Sequence, residues 1–87
     1  MRNVVITPKA FKDLAIWAKE DRRILAKIVL LIADIQRSPF DGIGKPEQLK
    51  YDFKDVWSRR ITEGHRLLYF VDDDRIVISG CRFHYEK

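Results

Sequence analysis

The chain has 87 residues, 46% hydrophobic and 34% charged, and its 17 basic and 13 acidic side chains give a net charge of +4. This length fits a single domain, residues 1–87, and no apolar run approaches the roughly 20 residues that a bilayer span requires. Cys81 is the only cysteine, which excludes an intrachain disulfide and favours a reducing compartment. We therefore expect a soluble cytoplasmic protein, whose mild positive charge permits an acidic partner without identifying one.

The first elements are a short strand and a helix. Residues 3–6 are rich in β-branched side chains, which predicts the strand. Thr7 and Pro8 then form a helix start, because a threonine side chain can cap the first turn and proline lacks only an N–H that the first turn leaves unpaired. Apolar side chains at helical spacing continue this helix through residues 9–20.

A second helix should span residues 22 to about 37, with Asp21 as its N-terminal cap. Its apolar stripe is broader than that of the first helix, so we expect it to lie deeper in the core. A Ser-Pro pair ends it, because proline disfavours a helical conformation in the residue before it. Residues 38–48 follow as a connection punctuated by proline and glycine, predicted to be an ordered loop that positions Glu47.

The remaining sequence has the texture of β-structure. Strands are predicted at residues 56–61, 67–71 and 75–85, joined by short turns, and Gly80 marks the place of a bulge in the last one. The order of one strand, two helices and about three antiparallel strands predicts an α+β fold. In it, the helices pack on one face of the sheet and the other face is free.

Reactive side chains are concentrated in the second half of the chain. A carboxylate among lysines, several arginines, and a histidine beside a tyrosine are the groups needed to move protons on and off a phosphodiester while holding its charge. The candidates for this chemistry are Glu47, Arg66, His84 and Tyr85. The candidates for contact with RNA or its phosphates are Lys45, Lys50, Trp57, Arg59, Arg60, Arg82 and Phe83.

Most of these residues also have an ordinary structural interpretation. Glu47, beside a proline, can be a solvated acid, and His84 can be an exposed residue near the end of the chain. Either of the adjacent arginines Arg59 and Arg60 can serve to keep a sheet edge soluble. Arg66 lies inside an apolar strand and is harder to explain in this way, because a charge there requires an anion or a cavity.

Aromatic and acidic residues add two further hypotheses. Trp57 and Phe83 carry rings that can stack on bases, although Trp57 is equally well explained as a core residue. Residues 72–74 are three consecutive aspartates in a turn; their side chains diverge, which is typical of a solvated run rather than of a metal site. The sequence contains no metal-ligand spacing, glycine-rich phosphate loop or nucleophile–base motif, so we expect neither metal nor cofactor.

Four motifs follow one another along the chain: GKPEQLK at 44–50, WSRRIT at 57–62, HRL at 65–67 and CRFHY at 81–85. In this order they resemble the YoeB/Txe family of toxins, part of the RelE superfamily of bacterial toxin–antitoxin systems. The resemblance covers essentially the whole chain. It implies a RelE-like fold and a ribosome-dependent endoribonuclease, an mRNA interferase that cuts translated message in the A site without a metal.

The resemblance also implies a role for each candidate by its position in the motifs. Glu47 falls on the general base, His84 on the general acid and Arg66 on the arginine that stabilises the phosphate. The further active-site members that it implies are Lys50, Arg60 and Tyr85. In such a mechanism the base takes the proton of the attacking 2′-OH, the cations hold the charge of the phosphorane, and the acid protonates the departing 5′-oxygen.

Partners follow from the resemblance as well. It implies a cognate antitoxin of the YefM/Phd type, the ribosome with mRNA in its A site, and operator DNA bound through the toxin–antitoxin complex; it is compatible with a homodimer. Two other functions remain open. A non-catalytic toxin of the same fold would act on a protein target such as gyrase, and a basic RNA-binding module would bind RNA without cutting it.

Overall fold

The computed structural model describes residues 2–49 and 55–83, and within these ranges the chain forms two helices and a five-stranded sheet. In chain order the elements are β1 (Asn3–Ile6), α1 (Pro8–Glu20), α2 (Arg22–Arg37), β2 (Glu47–Gln48), β3 (Trp57–Arg60), β4 (Arg66–Val71) and β5 (Arg75–Phe83). Neither helix of the described residues is long and apolar enough to cross a membrane.

The two helices begin and end where the sequence predicts, because polar side chains cap them. The Thr7 hydroxyl accepts a hydrogen bond from the Ala10 N–H at 3.2 Å, and Pro8 occupies the first helical position. Asp21 serves both helices. Its main-chain N–H donates to the Trp17 carbonyl at the end of α1, and its carboxylate accepts from the Arg23 N–H at the start of α2.

The α+β class is confirmed, with two differences in the sheet. The strand order is β1-β5-β4-β3-β2, and β1 pairs parallel to β5 at one edge while the other neighbours are antiparallel. A fourth strand, β2, follows the helices at the other edge. Glu47 therefore lies in a strand paired with β3 rather than in a loop. Two residues are too few to produce a recognisable alternation, so the sequence did not reveal β2.

The core lies between the helices and one face of the sheet. Both helices contribute to it, through residues such as Trp17 from α1 and Ile28 from α2, and the strands contribute Leu67, Tyr69 and Ile76. The second helix does not lie uniformly deeper than the first. Its Val29 and Leu30 side chains are 58% and 61% exposed, so its broad apolar stripe is only partly covered.

Strand β5 departs from regular pairing on both sides of Gly80, as its glycine predicts. Leu68 pairs with Gly80 whereas Tyr69 pairs with Ile78, and a second shift separates this point from the Arg66–Phe83 pair. Cys81 lies in the irregular part, and side chains of α1 bind its main chain. Asp13 accepts from the Cys81 N–H at 2.9 Å, and the Trp17 indole N–H donates to the Cys81 carbonyl at 2.8 Å.

Candidate active site

Three of the predicted residues share the face of the sheet that points away from the helices. Glu47 is the Cα partner of Ser58, and Arg60 is the Cα partner of Arg66. Because side chains alternate along a strand, Ser58 and Arg60 project to the same side, opposite to Arg59, which contacts Asp34 of α2. Glu47 and Arg60 thus form a diagonal cross-strand pair, for which Cβ atoms lie about 7–8 Å apart or less, within reach of long side chains.

The two arginines of this face carry charges that no described carboxylate neutralises. Within residues 2–49 and 55–83, neither Arg60 nor Arg66 forms an ion pair. The Arg66 guanidinium is instead held by carbonyl oxygens of the β3–β4 turn, the nearest being Thr62 O at 3.1 Å. Carbonyl oxygens orient a guanidinium but leave it with a net positive charge, so this end of the sheet can attract an anion.

Lys45 adds a third cation beside Arg60. The Arg60 N–H donates to the Gly44 carbonyl at 2.6 Å, which brings the chain before β2 against the end of β3. Lys45 and Arg60 line one concavity of about 370 Å³ together with Lys27 of α2. Glu63 is the acidic residue of this lining, so three lysine and arginine side chains face one carboxylate there. The concavity is therefore suited to a phosphate-bearing ligand.

The last of the four sequence motifs, residues 81–85, is described only as far as Phe83. Phe83 is the Cα partner of Arg66, so the main chain of β5 passes next to the arginine pair. Lys50, His84 and Tyr85 lie outside the described residues. The roles of those three residues remain predictions.

Two predicted RNA contacts lie away from this face. Trp57 is half-buried and packs against the core, and its ring contacts that of Phe40 at 4.8 Å between centroids with a tilt of 45°. Arg82 forms an ion pair with Glu20 at 3.3 Å, and its guanidinium lies over the Trp17 ring. Both side chains therefore have partners on the helical side of the sheet, and neither is brought together with Glu47.

Arg59 requires a correction. It was predicted as a phosphate contact, but its side chain is 0% exposed and cannot reach a phosphate in this structure. The Asp34 carboxylate accepts from Nη1 at 2.6 Å, the Tyr69 hydroxyl accepts from Nε at 3.2 Å, and main-chain carbonyls of the α2–β2 connection accept from the remaining N–H groups. The physical reason is alternation: consecutive arginines in a strand face opposite sides of the sheet.

Burial and the Arg59 guanidinium shift the pKa values of Asp34 and Tyr69. Hydrogen bonding from Arg59 lowers the pKa of the Asp34 carboxyl below its ordinary value, against the effect of burial. Burial raises the pKa of the Tyr69 hydroxyl, and the neighbouring guanidinium opposes that shift. At neutral pH the network therefore consists of an ionised carboxylate, a guanidinium and a neutral phenol.

Asp34, Tyr69 and Asp13 were not among the predicted residues, although the spacing of the two aspartates indicates that both lie on buried helix faces. Asp13 lies three residues after Ala10 and four before Trp17, both buried, and Asp34 lies three residues after the buried Leu31. An acid on an apolar helical stripe requires a buried partner. Among the described residues, no group of three histidine, cysteine, aspartate or glutamate side chains could hold a metal ion.

Comparison with known proteins identifies the family. A family model described as "YoeB-like toxin of bacterial type II toxin-antitoxin system" matches residues 6–85. The chain belongs to this family. It is 48% identical over 82 residues to Toxin YoeB of Escherichia coli K12, a match that covers 94% of this chain and 98% of that relative.

Solved structures of YoeB toxins have the same fold. A YoeB/ParE toxin from Agrobacterium tumefaciens superposes with a TM-score of 0.93 at 44% identity, covering 95% of this chain and 99% of that one. A YoeB dimer from Staphylococcus aureus gives 0.90 at 41% identity, covering 97% and 98%. A YoeB–YefM toxin–antitoxin heterotetramer from the same organism gives 0.87 at 41%, covering 98% and 99%. This YoeB-like chain is therefore the toxin component of a type II toxin–antitoxin system.

Proposed function

We propose that this toxin is a ribosome-dependent mRNA endoribonuclease that cleaves translated message in the A site by metal-independent acid–base chemistry. The observation that carries the proposal is the shared sheet face. An exposed glutamate lies diagonally across from one arginine and that arginine lies directly opposite another. A carboxylate next to cations that lack acidic partners is the arrangement required to take a proton from a 2′-OH beside a phosphate.

The assigned roles follow from charge and position. Glu47 is exposed and can accept the 2′-OH proton, while Arg60 and Arg66 can hold the two charges that develop on the phosphorane oxygens. His84 is assigned as the acid that protonates the 5′-oxygen, Lys50 as a further supporting cation and Tyr85 as the last member of the site. Proton transfer of this kind contributes about 10²–10⁴-fold to a rate, and electrostatic stabilisation contributes a comparable or larger factor.

The test is cleavage of a defined mRNA on programmed ribosomes by purified toxin. Wild-type protein should cut within the A-site codon, leave 2′,3′-cyclic phosphate and 5′-hydroxyl ends, and leave ribosome-free RNA intact. Glu47→Gln and Arg66→Ala should each lower the cleavage rate by at least about 100-fold. Arg75→Ala is the matched control, because Arg75 is an exposed arginine paired with Asp72 at the opposite end of β5. Normal cleavage by both site variants would reject the proposed mechanism.

The same protein preparation distinguishes the alternative functions. A toxin that acts on gyrase would leave message intact on ribosomes and produce DNA breaks in induced cells. A basic RNA-binding module would retain RNA in a salt-dependent manner without producing new ends. Discrete breaks in translated codons, absent from the Glu47→Gln variant, would exclude both.

We also propose that a YefM-type antitoxin binds and inactivates this toxin, as the YoeB–YefM assemblies of Staphylococcus aureus suggest, and that the complex binds operator DNA. The outer surface of the helices offers a docking area. Val29 and Leu30, 58% and 61% exposed, line an open groove of about 700 Å³ together with Ala18, Leu25 and the exposed basic residue Arg22. An acidic amphipathic segment that folds on binding would complement both the apolar area and its charge.

Co-purification with the antitoxin encoded beside the toxin tests this surface. Leu30→Asp should weaken the complex at least about tenfold, whereas Asp73→Asn, an exposed change on the β4–β5 turn, should leave it unchanged. The mass of the toxin alone, measured by light scattering, shows whether a homodimer forms. If Leu30→Asp dissociates a homodimer and leaves antitoxin binding intact, the surface belongs to the dimer and the assignment to the antitoxin is wrong.

A further inference from the structure

The α2–β2 connection, residues 38–46, is held by polar contacts rather than by burial of its own side chains. Its two large apolar residues, Phe40 and Ile43, are 51% and 47% exposed. Gly42 and Gly44 have positive φ values of 126° and 80°, so the path of the chain depends on conformations that other residues rarely adopt. A connection with this little apolar burial needs another source of order.

Arg59 is that source, because three of its hydrogen bonds end on the main chain of the connection. Its Nη2 group donates to the Ser38 and Asp41 carbonyls at 2.7 and 3.1 Å, and Nη1 donates to the Ile43 carbonyl at 2.9 Å. With Asp34 and the Tyr69 hydroxyl, all five N–H groups of the guanidinium have acceptors. Five bonds from one rigid planar group fix the relative positions of the three carbonyls.

The two side chains that bind Arg59, Asp34 and Tyr69, also form hydrogen bonds with the main chain of the connection. The Tyr69 hydroxyl donates to the Pro39 carbonyl at 2.7 Å, and the Asp34 carboxylate accepts from the Ile43 N–H at 3.1 Å. A β-carbon at Gly42 would collide with that carboxylate, so the chain approaches Asp34 as closely as glycine permits. The network therefore binds the main chain of the connection at residues 38 and 39 near its start and at residues 41 and 43 further on.

Arg59 and the connection that it binds are both close in sequence to residues of the proposed active site. Arg59 stands between Ser58, the partner of Glu47, and Arg60. The connection reaches Glu47 three residues after Gly44, whose carbonyl accepts from the Arg60 N–H. A displacement of residues 38–44 would therefore move Lys45 and Glu47 relative to the two exposed arginines.

We propose that Arg59 is a positioning residue: through the carbonyls of residues 38–43 it orders the α2–β2 connection and thereby sets the place of Glu47 and Lys45 against Arg60 and Arg66. Asp34 neutralises Arg59, and Tyr69 orients it. Arg59 touches no substrate. The catalytic part of this inference rests on the proposed ribonuclease function, whereas the ordering of the connection does not.

Arg59→Lys is the informative variant, because it keeps the charge beside Asp34 and removes the planar fork. We expect amide hydrogen exchange in residues 38–46 to accelerate at least about tenfold in Arg59→Lys while the protein still unfolds cooperatively. The cleavage rate constant on programmed ribosomes should fall about 100-fold, as expected for a misplacement of about 1 Å, while KM for the ribosome–mRNA complex changes less than about threefold. The phosphate-binding arginines remain in place, which is why affinity is retained.

Two controls separate positioning from general stability. Arg37→Ala removes the exposed arginine that also binds Asp34, at 3.2 Å, but contacts none of the loop carbonyls, so exchange and cleavage should stay within about twofold of wild type. Ile35→Val removes one buried methyl group and so weakens the core, and it should leave the cleavage rate unchanged. If Ile35→Val slows cleavage as much as Arg59→Lys does, or if Arg59→Lys cleaves normally, the positioning role is refuted.

Hydrogen exchange is measured without RNA, so it tests whether Arg59 orders the connection independently of the cleavage assay. If wild-type toxin fails to cleave on ribosomes, the ribonuclease proposal fails, and accelerated exchange in Arg59→Lys would still establish Arg59 as the residue that orders the loop. Unchanged exchange in a folded Arg59→Lys protein would overturn the inference, whatever the result of the cleavage assay.

Discussion

Arg60 and Arg66 lie directly opposite each other on β3 and β4, and no carboxylate of the described residues pairs with either. Like charges in this cross-strand position destabilise a sheet by a few tenths of a kcal/mol to about 1 kcal/mol. A small protein with a thin margin of stability retains this repulsion, which is understandable if an anion is bound there. The pair thus lowers the stability of the fold, which fits the proposed role of both arginines in binding phosphate.

The first prediction concerns that repulsion. Arg60→Gln should raise the free energy of unfolding by about 0.2–1 kcal/mol and the melting temperature by a few degrees, while it lowers cleavage. Thermal unfolding in low salt measures the change, and added sulfate should stabilise wild type more than the variant. Arg75→Gln, which breaks the ion pair with Asp72, should give no such gain. If the Arg60→Gln protein is less stable than wild type, Arg60 and Arg66 do not destabilise the sheet by mutual repulsion.

The second prediction concerns acid stability. Because hydrogen bonding from Arg59 lowers the Asp34 pKa below 3.8, ionised Asp34 stabilises the fold above the pKa of the unfolded chain, and this contribution is lost as pH falls through the folded value. Asp34→Asn should cost about 3 kcal/mol at pH 7, since Arg59 stays buried without its counter-charge.

The cost of Asp34→Asn should shrink as the pH is lowered from 5 to 2, because wild-type Asp34 also becomes protonated there. Urea unfolding of both proteins across this range gives the difference in unfolding free energy. Asp73→Asn, at an exposed position, supplies the baseline and should differ little from wild type at any pH. A cost that is independent of pH would show that ionised Asp34 is not what supports Arg59.

A third prediction concerns the Cys81 thiol. Burial raises its pKa to about 12, from 9.0, so at pH 8 it should be almost wholly protonated and inaccessible to alkylating reagents. Labelling with iodoacetamide should be at least about 100-fold slower in the native protein than in urea, and its rate should follow global unfolding. Rapid labelling of folded protein would show that β5 opens locally at its bulge.

The raised thiol pKa also has a consequence for alkaline stability. The contribution of Cys81 is fully present below pH 9 and is lost as pH rises towards 12, because the thiol of the unfolded chain ionises first. The stability of wild type relative to Cys81→Ala should therefore fall by up to about 1.4 kcal/mol per pH unit above pH 9. Using the difference between the two proteins removes the contribution of lysine and tyrosine titration.

The fourth prediction concerns the contact between α1 and the bulge of β5. Asp13→Ala leaves the Cys81 N–H buried without its acceptor and should cost about 1–3 kcal/mol. Lys9→Ala, which removes the half-exposed ion-pair partner of Asp13, should cost less than about 1 kcal/mol. Chemical denaturation of the two variants compares them. Equal losses would mean that the ion pair, and not the strand contact, is what Asp13 contributes.

Local patterns in the sequence predicted most of the elements. Thr7 and Asp21 are capping residues, and the apolar stripes that follow them defined both helices, because a cap and a period of 3.6 are local properties of the chain. Gly80 marked the irregular part of β5 for the same reason. The sequence did not predict β2, because a two-residue strand is stabilised by its neighbour β3 and not by its own side chains.

By itself, the sequence determined the helices, the α+β class, the motif set of the family and the inventory of acid, base and cations. Only the tertiary structure decided which of two adjacent arginines is buried and which is exposed. Arg59 and Arg60 are adjacent and chemically identical, and sheet alternation places one against Asp34 beneath the helices and the other on the open face beside Glu47. Their roles differ because side-chain burial depends on strand pairing, and strand pairing depends on residues far apart in the chain.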